Sequence, residues 1–482
     1  MTISKNGTAK IAIKSVILQK GKVKMEGIEI AVKNPPTYLQ TVRDLLKLGL
    51  PVLVTQVGII IVSFADTMMV GAYGLNELAA SAFVNSLFLI PIVMLLGFSG
   101  GIIPLIGALY GRNEHKEAGL MLRAALIVNL AMAFVFVVVM SCLFFLLGYF
   151  GQDKELLPLA EDYYLIILMS VIPMSVFTSM QQGCNGLTDT ATPMWIILGA
   201  DALNILGNYL LIFGKFGFPE LGLEGAGWST LAARVSSAVA IILVYILSPR
   251  YRAYWQSIIK GRSGKDRKNQ VWKTSYPLMV QSGVECGLWT FGAVVSGWFG
   301  KVELAAYQVM NTIGQLGFMV YLSFGYATSI KVANFTGQKD FKSVRNVTKV
   351  GLHMILILAT IASLAFMFFT GDMVHYFTPE EDVVAYAAMM IIPLVLYQFC
   401  DGTQLTYVNA LRGTSEVKPL LWISIISYIV IGIPALLLFA VVFGLETVGV
   451  YYSFSIALLC AAVLLVITFR RTVRRLSVLN KC

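Results

Sequence analysis

The chain has 482 residues, 57% of them hydrophobic and 13% charged, with a formal net charge of +10. An ordinary soluble domain carries roughly 25% charged residues, so this balance excludes one and points to a protein built mostly within a membrane. Six scattered cysteines (Cys142, Cys184, Cys286, Cys400, Cys460 and Cys482) form no CxxC pair, and an extracellular disulfide framework is not indicated.

Residues 1–45 are Lys-rich and lack an apolar core of signal-peptide length, so they read as a cytosolic tail. A spanning helix needs about 20 mainly apolar residues. Twelve such segments follow, beginning near residues 48, 82, 120, 161, 194 and 225, then near 275, 308, 349, 384, 419 and 449. Residues 46–247 form an expected N-lobe and 248–273 a cytosolic linker loop rich in Arg and Lys. Residues 274–470 form a C-lobe, and 471–482 a basic cytosolic tail.

The two halves repeat. A shift of 226 residues carries Lys47 onto Lys273, Pro51 onto Pro277, Gly71 onto Gly297 and Gly74 onto Gly300. It also carries the ELAA at Glu77 onto the ELAA at Glu303, Asn85 onto Asn311 and Gly111 onto Gly337. GLE at Gly222 recurs at Gly444, and Pro193 and Pro419 each open the fifth helix of their half. Six helices per half is an even number, so both halves insert the same way up. The expected fold is all-α and integral to the membrane: twelve transmembrane helices in two parallel-repeat six-helix lobes around a central cleft. Some secondary transporters are built so, and the arrangement suits alternating access by rocking one lobe against the other.

Charge sets the orientation. With the N-terminus in the cytosol, the inner side holds Arg112, Lys116, Arg123, Arg250 to Lys273, Lys339 to Lys349 and Arg470 to Arg475. The outer side holds only Lys154, Lys215 and Lys301 among bases, against Glu77, Asp153, Glu155, Glu220, Asp372, Glu380, Glu381 and Asp382. This positive-inside pattern implies a multi-pass protein of the cell inner membrane with both termini cytoplasmic. The excess charge is assigned to topology and contact with anionic membrane lipids, and not to nucleic acid.

Four acids fall inside expected spans: Asp66, Asp201, Glu285 and Asp401. One base, Arg234, does so too. Ionisable groups at membrane depth are costly and mark ion or proton paths more often than packing. Glu285 lies near the middle of the seventh span, where the repeat places Ile59, so the scaffold repeats and the charge does not. Burial disfavours the charged carboxylate and a bound cation favours it, so one such group can exchange a proton or Na⁺. A carboxyl pairing with a neighbouring helix is the structural alternative. In YQFCDGTQLTYVNALRG, Tyr397 and Gln404 lie about one turn to either side of Asp401, and such oxygens on one face suit a hard cation. Asp66, in SFADTMMVG, either acts in the same way or stays hydrated near the outer mouth. Asp201, Asn204 and Asn208 make one polar stripe, which lines a cleft or bonds adjacent helices. Arg234 reads as an internal counter-ion or as a side chain reaching for an interface. A subset of the 20 Met and of the many aromatics would suit flat apolar cations through dispersion and cation–π contact. Three dispersed histidines (His115, His353, His375) argue against a metal centre, and no phosphate-binding GxxxxGK[ST] loop is present. Neither an enzyme nor a cofactor is expected.

Three stretches together carry a resemblance. They are SFADTMMVGAYGLNELAA from Ser63, Glu285 followed by WFGKVELAAYQ from Trp298, and QFCDGTQLTYVNALRG from Gln398. In this order and spacing the chain, over residues 40 to 470, resembles the multidrug and toxic compound extrusion (MATE) transporters of the NorM type. The resemblance implies an antiporter that expels cationic or amphipathic compounds in exchange for Na⁺ or H⁺. It implies that Glu285 and Asp401 are the paired carboxylates of a C-lobe cation site, with Na⁺ as the only metal to consider there. It further implies that Tyr397 is an aromatic beside the cation and Asp66 a helix-one acid of coupling or substrate binding. One branch pairs an Asn with an Asp in helix five as an N-lobe proton site. Here Asn204 takes the first position, Asn208 replaces the Asp and Asp201 lies about two turns earlier, which shifts weight to Glu285 and Asp401. A monomer exporting small organic cations is the expectation. A flippase for a lipid-linked sugar, which would need cleft bases to hold pyrophosphate, is the alternative.

Overall fold

The computed structural model describes residues 36–151, 153 and 155–479, together with the backbone of three short strands. Those strands, β1 (Ile17–Gln19), β2 (Lys22–Met25) and β3 (Ile28–Ala31), pair antiparallel in the order β1-β2-β3 ahead of the first span. The rest of residues 1–35, Gln152, Lys154 and residues 480–482 lie outside the described residues.

Among the described residues, eleven helices long and apolar enough to cross a membrane follow, and the bent pair Glu381–Met389 and Ile391–Gly413 makes a twelfth span. The N-lobe holds Tyr38–Tyr73, Leu75–Gly111, His115–Phe144, Leu156–Gly186, Ala191–Ile212 and Gly222–Leu247. The C-lobe holds Lys265–Phe299, Lys301–Gly337, Phe341–Phe377, Glu381–Gly413, Lys418–Val442 and Glu446–Leu479. Several begin earlier than composition suggested: the first at Tyr38 and not near 48, the seventh at Lys265 and not near 275. The helices outrun the apolar layer, and their polar first turns carry no hydropathy signal. At the first, Thr37 and Gln40 form a reciprocal cap on the opening turn. The expected linker loop is also corrected, because residues Pro249–Lys260 form a helix. Its Tyr251 and Tyr254 are buried against the N-lobe, and Arg123 donates to the carbonyls of Ile258 and Ile259 at its C-terminal end.

Proline shapes both fourth spans of the repeat. The span Leu156–Gly186 breaks after Met169, four residues before Pro173. The span Glu381–Gly413 breaks after Met389, four residues before Pro393, and bends by 50°. A proline ring strikes the carbonyl four residues back and removes a hydrogen bond, which accounts for both breaks.

The lobes meet at the end that carries the Arg and Lys residues. There Leu45, Leu48 and Ile103 of the N-lobe share one apolar cluster with Leu278, Ala327 and Ile330 of the C-lobe. Lys331 Nζ lies 2.7 Å from Asp44 Oδ2. Backbones touch where spans two and eight cross. A Cβ on Gly107 would lie 2.7 Å from that of Ala333, while Cβ atoms on Gly111 and Gly337 would strike the backbones of Asn334 and Ala108. Because the 226-residue shift carries Ala108 onto Asn334 and Gly111 onto Gly337, these two contacts are one contact repeated across a pseudo-two-fold axis. Toward mid-membrane the seam continues to Gly283, whose Cβ would be 2.8 Å from Met94 Cγ.

Candidate functional site

The described residues carry two polar centres, one per lobe. The C-lobe centre stands just beyond the Gly283–Met94 contact. Glu285 comes from span seven, Asp401 and Gln404 from span ten, and Tyr428 from span eleven. Tyr428 donates to Glu285 Oε1 at 3.3 Å, and Gln404 Nε2 donates to Tyr428 Oη at 3.0 Å and reaches Glu285 Oε1 at 3.5 Å. Asp401 and Gln404 are both 1% exposed. Asp401 Oδ2 and Gln404 Oε1 are buried with no protein hydrogen-bond partner. Tyr397, one turn before Asp401, is buried edge-on to Trp289 with centroids 5.3 Å apart. One turn before Glu285, Gln281 Oε1 accepts from Arg412 Nη2 at 3.3 Å.

This centre is rich in oxygen and poor in donors. Unpaired acceptors at such burial are costly and native folds seldom leave them, so the donor set fits a bound cation or proton. The four C-lobe residues singled out from the sequence, Glu285, Tyr397, Asp401 and Gln404, are thus brought into one cluster. Tyr428, Gln281 and Arg412 belong to the same network and were not singled out. Tyr428 was hidden inside the apolar run IISYIVIG. That run is π-wound over Ile425–Gly432, so helical spacing from either end does not project its hydroxyl correctly.

In the N-lobe, Asp66, Asp201, Asn204 and Arg234 line a cavity of about 440 Å³, with Asn85, Tyr163 and Thr230 on its wall. Asn208 donates to Asp66 Oδ1, and with its amide in the better-satisfied orientation Asn204 donates to the same oxygen at 2.8 Å. In the structure the polar stripe of span five is shared between a cavity within the N-lobe and a neighbouring helix. Asp201 and Asn204 face the cavity, and Asn204 and Asn208 clamp span five to the acid of span one. Asp201 Oδ2 is buried without a partner, close to where the absent side chain of Gly58 lets span one approach. Arg234 does not reach for an interface: it lines the cavity and donates to Ser170 Oγ at 2.6 Å. Among the described residues no group of three or more His, Cys, Asp or Glu stands together as a metal site.

Two six-helix lobes related by an internal repeat, joined at one end and each holding acids within its spans, define a multi-pass membrane protein of the transporter class. The chain belongs to the MatE family, whose model matches residues 51–210 and 277–438. It is 25% identical over 437 residues to a probable multidrug resistance protein NorM of Photorhabdus laumondii, covering 89% of this chain and 95% of that one. It is 28% identical over 433 residues to a probable multidrug resistance protein NorM of Oceanobacillus iheyensis, covering 88% and 96%. A crystal structure of the Vibrio cholerae MATE transporter VcmN in a bent form shares the fold, with a TM-score of 0.80 at 16% identity over 92% of this chain and 99% of that one. The protein is a transporter and not an enzyme.

Proposed function

We propose that the protein is a multidrug exporter that exchanges small cationic or amphipathic compounds for Na⁺ or H⁺ by alternating access. It would lie in the cell inner membrane, with its basic end and both termini in the cytoplasm. The observation that carries this reading is the C-lobe centre. The direct donors to Glu285 there are the neutral Gln404 and Tyr428, with Arg412 bonded to Gln281 one turn away, and Asp401 Oδ2 lies beside them with no protein partner. Such a pair gains a favourable partner when a cation or proton arrives and regains its cost when that partner leaves.

The lobes are joined at the basic end, which supports an outward-open state ready to take up the coupling ion. Ion binding at Glu285 and Asp401 would weaken the hold on a positively charged compound in the cleft. The lobes then rock, the ion leaves inward, and a new compound is drawn to the freed carboxylates. Coupling requires that ion and compound favour different states. Asp66 and the polar wall of the N-lobe cavity form a second acidic surface along this route. With two acids against one base there, the cavity offers little to a pyrophosphate, which weighs against a lipid-linked sugar.

Efflux of a fluorescent organic cation from vesicles, under separately imposed Na⁺ and H⁺ gradients, tests the reading. One gradient should drive efflux in the parent, and Glu285→Gln should lower the driven rate at least tenfold. A mutant that transports like its parent would make Glu285 structural, and a parent inert under both gradients would favour the lipid-linked substrate.

A further inference from the structure

The hydroxyl of Tyr428 is placed on Glu285 by an irregularity of span eleven that its repeat counterpart lacks. The span is α-helical over Lys418–Ser424, π-wound over Ile425–Gly432, where the Ile433 N–H bonds back to the Tyr428 carbonyl, and π-wound again over Leu438–Val442. Span five of the N-lobe is α-helical throughout, Ala191–Ile212, and the 226-residue shift puts Ala202 opposite Tyr428. π-Winding is rare inside α-helices and is frequent at functional sites. Here the wider turn carries a 2%-exposed phenol to a carboxylate that the repeat also lacks.

We infer that Tyr428 is a positioning residue of the coupling-ion site, a neutral donor that holds Glu285 when no cation does and so sets how readily the ion departs. This rests on the proposed antiport at Glu285 and deepens it. The geometry gives the direction. The Tyr428 oxygen already accepts from Gln404 Nε2 at 3.0 Å, so the phenol presents its hydrogen to Glu285 at 3.3 Å. A donor to a partly buried carboxylate stabilises the ion-free charge and competes with the arriving cation. Without it, the ion-bound state gains relative to the ion-free one. Ion binding tightens and release slows.

The test compares the parent, Tyr428→Phe, Ser427→Ala and Glu285→Gln, as purified full chains in detergent and in vesicles. Ser427 lies in the same π turn, and its hydroxyl is buried without a partner, so it reports damage to the turn alone. Each protein is titrated calorimetrically with NaCl at fixed pH and separately with acid, and ion-driven efflux is measured against ion concentration. Tyr428→Phe is expected to lower the half-saturating ion concentration about tenfold and to reduce the maximal efflux rate. Ser427→Ala should leave the half-saturating concentration unchanged. An unchanged or raised value for Tyr428→Phe, with Glu285→Gln insensitive to the ion, overturns the role of Tyr428 and leaves the antiport reading standing. A Glu285→Gln protein that still responds to the ion overturns the site itself, and this inference with it.

Discussion

At the residue scale, the acids inside the spans differ in how fully they are satisfied. Asp66 is wrapped by amide donors from Asn208 and Asn204 and shares its cavity with Arg234. Asp401 has an oxygen with no donor at all. Asp66 Oδ1 is thus satisfied, whereas Asp401 Oδ2, like Asp201 Oδ2 in the N-lobe, is not. Asp66→Asn keeps the side chain's shape and one acceptor oxygen. It should fold with a melting temperature within about 2 °C of the parent, yet lose at least tenfold in efflux of a cationic dye, because the cavity, with one acid left against Arg234, loses its net negative charge. Undiminished efflux would make Asp66 a packing residue.

At the element scale, the linker helix Pro249–Lys260 fixes the basic end of the N-lobe. Asp189, in the turn before span five, accepts from Tyr251 Oη at 2.6 Å, from the Thr192 N–H at 3.1 Å and from Arg250 Nη1 at 3.2 Å. Burial of this carboxyl favours the proton, but the donors of Tyr251 and Thr192 and the charge of Arg250 outweigh it and hold the group below its usual value of 3.8. A folded-state value below the unfolded one contributes stability above pH 3.8, which is lost as pH falls through the lower value. Asp189→Asn should therefore cost about 1–2 kcal/mol at pH 7. The difference from the parent should shrink in thermal melts below about pH 3.8. The C-lobe repeats the device: Arg475 Nη2 lies 2.7 Å from Glu416 Oε1 in the corresponding turn. Elements were legible in sequence where they were apolar. The linker helix was not, because its aromatic and basic residues hide a short amphipathic face inside a charge-rich stretch.

At the scale of the whole molecule, the seam between spans two and eight decides which end is closed. Spans two and eight approach so closely at Gly111 and Gly337 that a side chain there meets backbone. Backbone yields far less than a flexible side chain, so a bulky residue disfavours this closed end more than it disfavours either lobe's own fold. Gly337→Val should shift the population toward opening at the basic end. Spin labels on the exposed, repeat-related sites Arg112→Cys and Gln338→Cys would read this as a lengthened distance distribution. An unchanged distribution would show that the seam tolerates separation elsewhere and is not the gate.

The sequence by itself determined the number of spans, the parallel repeat and the four deep acids. Each of these is written in local terms: runs of apolar residues, a fixed shift of 226, and charges where the bilayer tolerates few. Helix spacing also put Asp401, Tyr397 and Gln404 on one face, while only the family resemblance set Glu285 beside Asp401. Only the tertiary structure decided which neutral groups complete each centre. Tyr428 reaches Glu285 across 143 residues of chain through a π turn, and Asn208 reaches Asp66 across 142. Such partners are chosen by how helices cross and rotate against one another. A single helix's periodicity records which of its faces is polar but not which neighbour that face will meet.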